Sequence, residues 1–186
     1  RNNSVTVDGN GATINSINDA TSSVQITGDG VTLQNINLTA ATEGLRYGSL
    51  DQHKLLVTGD HDTVRNVSVT GSAAAGIFAY GASNFTFDHD TVRYTRADGI
   101  HMTGGSHDGT VINPSTAWTE DDAVVVVSYA DEPISQNIVV TNPVVSGSDG
   151  RGIAVVGGNN VSFSNISVWR TWAAVVDVAA EGAPWN

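Results

Sequence analysis

The 186-residue sequence predicts an all-β fold, a right-handed single-stranded parallel β-helix (a β-solenoid) of about seven to eight coils. Three observations carry that expectation. An apolar triplet recurs at a coil-sized step, a second marker keeps the same step, and the composition favours strands and turns.

The triplets are Val24-Gln25-Ile26, Leu55-Leu56-Val57, Ile77-Phe78-Ala79, Ile100-His101-Met102, Val124-Val125-Val126, Ile153-Ala154-Val155 and Val176-Asp177-Val178. Their starts lie 31, 22, 23, 24, 29 and 23 residues apart. Each reads in-out-in, as a short strand over a core must. The second marker follows in the next strand of each coil: Asn35, Asn66, His89, Asn113, Asn142 and Asn165, at steps of 31, 23, 24, 29 and 23. A stacked Asn can bond the coils above and below while satisfying the backbone of a bend. His89 stands in that column and is expected to join the ladder. The ladder is expected to bury Asn66 and Asn165, which fall in N-x-S sequons. Asp60-His61-Asp62 reads as a polar turn.

Other architectures fit less well. A βαβ sheet needs helical segments of ten or more residues, and a propeller blade needs about 40 residues. The chain has 20 Gly, 4 Pro and no Cys, and its apolar residues are mostly Val, Ile and Ala. Its two long steps locate insertions at 40–52 and 128–136, which should leave the stack as loops. The whole of 1–186 reads as one β-helix domain, expected to be a segment of a longer chain, with Arg1-Asn2-Asn3 approaching the first strand.

The formal net charge is −11. A surface of that sign repels nucleic acid and anionic membranes. No apolar run approaches the 18 residues of a membrane-spanning helix.

Register turns scattered polar residues into a site. Two positions before each inward strand residue stand His53, Ala75, Asp98, Asp122, Arg151 and Ala174. Asp121 adjoins Asp122, and the outward strand positions add His101 and Asp177. Just upstream, Arg96, Glu120, Asp149 and Trp172 form one column, and Tyr94, Trp118 and Arg170 another. Adjacent coils bring such residues within roughly 5 Å vertically. Crowded carboxylates raise at least one pKa and cost stability, which a purely structural site would avoid. Aromatic rings beside carboxylates suit sugars, whose faces pack on rings while their hydroxyls find polar partners.

Asp98-Gly99, Asp121-Asp122-Ala123 and Gly150-Arg151-Gly152, on successive coils, resemble the polygalacturonase-type glycoside hydrolases within the pectate-lyase-like β-helix superfamily. Val5-Thr6-Val7-Asp8-Gly9-Asn10-Gly11 resembles the first coil of such proteins. The resemblance implies acid and base roles for Asp98, Asp121 and Asp122 in an inverting hydrolysis. Tyr94, Arg96, His101, Trp118, Glu120, Arg151 and Asp177 are then expected to bind or position substrate. Arg96-Ala97 replaces the family's Asn-Thr, Arg151 replaces a His, and Val175-Val176-Asp177-Val178 lacks the Arg-x-Lys that would hold a uronate. A neutral or differently charged glycan is therefore expected rather than galacturonan.

Two other readings share the fold. A lyase would use the acids to hold Ca²⁺ and Arg151 as base; a hydrolase needs no cofactor. A non-catalytic β-helix, such as a tail spike or surface adhesin, would bind a glycan and would be expected as a homotrimer. All three place the protein outside the cell, on or against a polysaccharide.

Overall fold

The computed structural model describes residues 4–21 and 23–184, so Arg1-Asn2-Asn3 lies outside the described residues. The chain winds as a parallel β-solenoid. One sheet has seven strands: Val24–Ile26, Leu55–Val57, Ile77–Tyr80, Ile100–Thr103, Val124–Val127, Ile153–Val156 and Val176–Ala179. Every neighbouring pair is parallel, with Val24 beside Leu55, Ile77, Ile100, Val124, Ile153 and Val176 in one unbroken row. The register expected from the triplets is the register observed.

The second sheet has twelve strands and folds over a bend into two faces. Val31–Thr39 and Thr63–Ser72 run continuously across the bend, whereas in later coils the strand divides there, as in His107–Ile112 and Ser115–Thr119. The bend is the marker column. Asn35, Asn66, His89, Asn113, Asn142 and Asn165 all adopt left-handed backbone conformations, with φ between 52° and 60°. Asn tolerates this region better than most residues, because its short amide bonds locally. The amides then donate from coil to coil: Asn66 to Asn35 (3.2 Å), Asn142 to Asn113 (2.7 Å) and Asn165 to Asn142 (3.0 Å). Asn113 meets His89 Nε2 at 2.8 Å, so His89 is a ladder member. The expected burial of this column is corrected. Asn66 and Asn165 are exposed, since the ladder runs along an outer corner where only the backbone is turned inward.

A second polar column was not anticipated. Gly30, His61, Asn84, Asp108, Asn137 and Asn160 also sit at positive φ, at the corner where the seven-stranded sheet meets its neighbour. Asn84 donates to Asp60, Asn137 to Asp108 and Asn160 to Asn137, at 2.8 to 2.9 Å. Asp60-His61-Asp62 belongs to this corner: Asp60 accepts from Ser83 Oγ at 2.6 Å, and Asp62 accepts the Val31 N–H at 2.8 Å.

The interior is a column of aliphatic and Phe side chains that runs along the solenoid, from Ile26 and Leu33 to Val145 and Ile153. The outward face of the seven-stranded sheet is covered too. Leu56, Phe78 and Ala75 form one cluster, and Val125, Val127, Ala154 and Val156 form another beneath Tyr129 of the second insertion. Strands here are therefore apolar on both faces, as Val124–Val127 shows, rather than alternating in and out.

Candidate active site

The site lies where the turns enter the seven-stranded sheet. Backbone bonds tie these turns coil to coil: Gly76 N–H donates to Asp98 O, Gly99 to Asp122 O and Ala123 to Arg151 O. Such stacking puts Asp98, Asp122 and Arg151 in one column. Gly150 keeps the approach open, because a Cβ there would stand 2.8 Å from Asp122 N and Oδ1. Asp98, Asp121 and Asp122 come together: one oxygen of each carboxylate lies within 4.8 Å of the others.

Each acid is held differently. Asp98 is 8% exposed. Its Oδ2 meets His101 Nδ1 at 2.7 Å, and its Oδ1 accepts the Asp122 N–H at 3.1 Å. Burial by itself would raise Asp98, but the charge and hydrogen bond of His101 outweigh it and hold the carboxyl below its ordinary value, helped by Arg46. Asp122 is 3% exposed and takes a forked contact from Arg151, Nε at 2.9 Å and Nη2 at 2.6 Å, plus the Arg151 N–H at 2.7 Å. Burial nevertheless raises Asp122 above the ordinary value. The charge of Asp98, one coil away, pushes the same way, against the lowering contacts of Arg151. Arg151 Nη1 also binds Asp177 at 3.0 Å and Glu181 at 2.5 Å. Asp121 is more open and pairs with Arg46 at 2.8 Å.

His101 is buried, and its only hydrogen bond among the described residues is to Asp98. Its ring packs on Phe78, centroids 4.9 Å apart, and the other face of Phe78 stacks on His53 at 3.7 Å. His53 Nδ1 accepts the Ala75 N–H at 3.1 Å. Burial, with His101 adding, pushes the His53 imidazole down to about 4, so this row is neutral at its far end.

The remaining expected site residues divide. Tyr94, Trp118 and Glu120 are exposed on the wall beside the acids, with Asp149. Asp177 is in place but spent on Arg151, and Arg151 is spent on acids rather than offered to a ligand. Arg96 is placed away from the acids' wall, under the first insertion. It is 1% exposed, and its guanidinium ties the first insertion, through Leu45 O and Ala41 O, to Asp19 of an earlier turn. Its bonds make it a strut for that loop.

Sequence reasoning missed Arg46, His53 and Glu181. His53 stood in the right column but carried no acid neighbour in sequence. Arg46 lies in an insertion, where coil register says nothing of direction. Glu181 follows Val176–Ala179 and falls outside the columns that the register aligned.

For a cation, the three carboxylates are the available donors, and Arg46 and Arg151 already neutralise two of them. Arg151 is also a poor base, because the bonds to Asp122 hold its proton more firmly than usual.

A family model described as a right-handed β-helix region matches residues 3–181. The chain belongs to the right-handed β-helix family. Similar solved structures include catalytic domains of GH87 α-1,3-glucanase. One, in complex with tetrasaccharides, is 20% identical with a TM-score of 0.62, over 77% of this chain and 26% of that one. Another, in complex with nigerose, is 22% identical with a TM-score of 0.56, over 77% and 25%. A third, with tetrasaccharides, is 18% identical with a TM-score of 0.55, over 89% and 37%. The β-helix chain thus spans about a quarter to just over a third of those domains, and at this identity the likeness is one of fold. No curated protein sequence matches it.

Proposed function

We propose that this β-helix is the catalytic segment of a glycoside hydrolase, with Asp98 as the base that activates water and Asp122 as the acid that protonates the leaving oxygen. The observation that carries the reading is the contrast between two neighbouring carboxyls. Asp98 is held low by His101, and Asp122 is held high by burial. Two carboxyls pushed apart in this way are suited to opposite proton-transfer roles at one pH. Asp121, paired with Arg46 and more open, orients the water or a sugar hydroxyl.

The GH87 neighbours support this reading. They were solved with alanine in place of one of three aspartates, two adjacent and the third 23 residues earlier. Asp98 lies 23 residues before Asp121, which adjoins Asp122. The substrate would be a polysaccharide, met outside the cytoplasm. A Ca²⁺-dependent lyase is disfavoured by the pairing of Asp121 and Asp122 with arginines and by the tightly held proton of Arg151.

The test is release of reducing ends from a panel of neutral and acidic polysaccharides. Asp98→Asn and Asp122→Asn should each lower turnover by about 100-fold or more, the scale of general acid–base catalysis. Full turnover in either variant removes the assignment. Spacing within 4.8 Å is shorter than the ~6.5 Å or more usual for inverting pairs, so the anomer formed, read by proton NMR, belongs to the same experiment.

A further inference from the structure

Three columns of left-handed residues run up the solenoid, and one is unlike the others. Among the described residues, every non-glycine residue at positive φ is Asn, Asp or His, except Tyr94 (φ 57°), Trp118 (φ 56°) and Arg170 (φ 61°). These three share a column with Gly71 and Gly147, which also have positive φ. Bulky side chains rarely accept this conformation, and strain of this kind gathers at functional sites. Gly is the residue the column takes where nothing else is asked of it. Two successive aromatics there have been placed at a conformational cost.

Their surroundings show what the rings are placed for. Trp118 is 46% exposed and Tyr94 43% exposed, so neither is a core plug. The Trp118 ring lies directly on the backbone of Gly147 in the next coil: a Cβ at Gly147 would stand 2.8 Å from Cε3. One face of the indole is thus fixed against main chain. Both rings line a shallow cleft of about 270 Å³ with Thr42 of the first insertion, Glu120 and Asp149. No Lys or Arg lines it among the described residues. Trp118 is three residues from Asp121, a reach of at most ~11 Å.

We infer that Trp118 and Tyr94 form a sugar-stacking subsite beside the acids, built for a neutral pyranose. The inference rests on the hydrolase reading for its place in a longer glycan, and its own content is the ring platform and the neutrality. An apolar sugar face packs on the fixed indole, while Glu120, Asp149 and the Thr42 hydroxyl take sugar hydroxyls. A uronate would bring a third negative charge beside Glu120 and Asp149, with no cation lining the cleft to offset it.

Isothermal titration with a neutral α-1,3-glucan tetrasaccharide, and with an oligogalacturonate of equal length, tests this. Trp118→Gly restores the residue type that the column uses at Gly71 and Gly147, so the variant should keep its circular dichroism spectrum. It should weaken tetrasaccharide binding about tenfold or more, the order expected when an indole face leaves a contact. Trp118→Phe should lose only a few-fold. If the Gly variant does not fold, tryptophan fluorescence decides instead: the tetrasaccharide should change the wild-type spectrum and leave that of Trp118→Phe unaltered. Asp122→Asn separates the two readings, since it should abolish hydrolysis while leaving the Trp118-dependent binding in place. Undiminished binding by folded Trp118→Gly, no binding of the tetrasaccharide by the wild type, or tighter binding of the oligogalacturonate overturns the inference.

Discussion

Replacing Arg151 with Ala strips the forked partner from a buried carboxylate. Asp122 would keep the Arg151 N–H but lose Nε and Nη2, with Asp98 still one coil away. Removing one partner of a buried ion pair typically costs about 3–5 kcal/mol. Protonation sets a ceiling on that figure. A carboxyl with an unfolded pKa near 3.9 can be neutralised at pH 7 for about 4 kcal/mol, and at pH 5 for about 1.5 kcal/mol. Arg151 is also part-exposed, so water will partly replace it. The expected loss is therefore about 3 kcal/mol at pH 7, or roughly 8 °C in the unfolding midpoint for a chain of this length. The sign with pH is fixed by linkage. Asp122 already has a raised pKa in the fold, so it costs stability as pH rises above its unfolded value, and losing Arg151 widens that window upward. The penalty should shrink by more than half at pH 5. Thermal unfolding followed by circular dichroism at the two pH values measures it. On an Asp122→Asn background, Arg151→Ala should cost less than about 1 kcal/mol. An equal loss at both pH values, or strict additivity with Asp122→Asn, would refute the buried-charge account.

Other outcomes follow from the same contacts. His101→Gln should raise the Asp98 pKa, moving the acidic limb of the kcat/KM profile to higher pH while leaving the alkaline limb in place; an unmoved acidic limb would show that His101 does not hold Asp98. His53 is neutral in the fold and its pKa is depressed to about 4, so stability should fall as pH drops from about 6.5 towards 4, by up to about 3 kcal/mol. His53→Gln keeps an acceptor for the Ala75 N–H and should flatten that slope in denaturant titrations. Asn142→Ala should cost about 2–3 kcal/mol, from two ladder bonds and a left-handed backbone, and Asn142→Gly should recover about 1 kcal/mol of it in thermal melts.

The solenoid was legible because its signal repeats. Each coil must offer inward apolar residues at the same step and a residue tolerant of the bend, so errors at one coil are corrected by the others. Inward rows from Leu55 to Val176 matched to the residue. The second corner escaped notice because it mixes Gly30, His61, Asn84, Asp108 and Asn137, which share a conformation but not a residue type. Site residues were legible only as column positions. Register put Asp98, Asp122 and Arg151 together, but it placed Arg96 with the ligand-facing residues when its side chain turns under the first insertion. Loops such as 40–52 have no coil-to-coil repeat, so the approach of Arg46 to Asp121 could not be counted out.

Sequence alone determined the coil count, the strand register and which carboxylates share a corner, because in a solenoid lateral neighbours are set by a constant number of residues. Only the tertiary structure decided what those carboxylates experience. Asp98 and Asp122 have the same side chain and nearly the same burial. Their pKa values part because His101 outweighs burial at Asp98, whereas at Asp122 burial and the Asp98 charge outweigh the contacts of Arg151. Such differences depend on side-chain direction and on loops folded back over the coils, and neither is periodic.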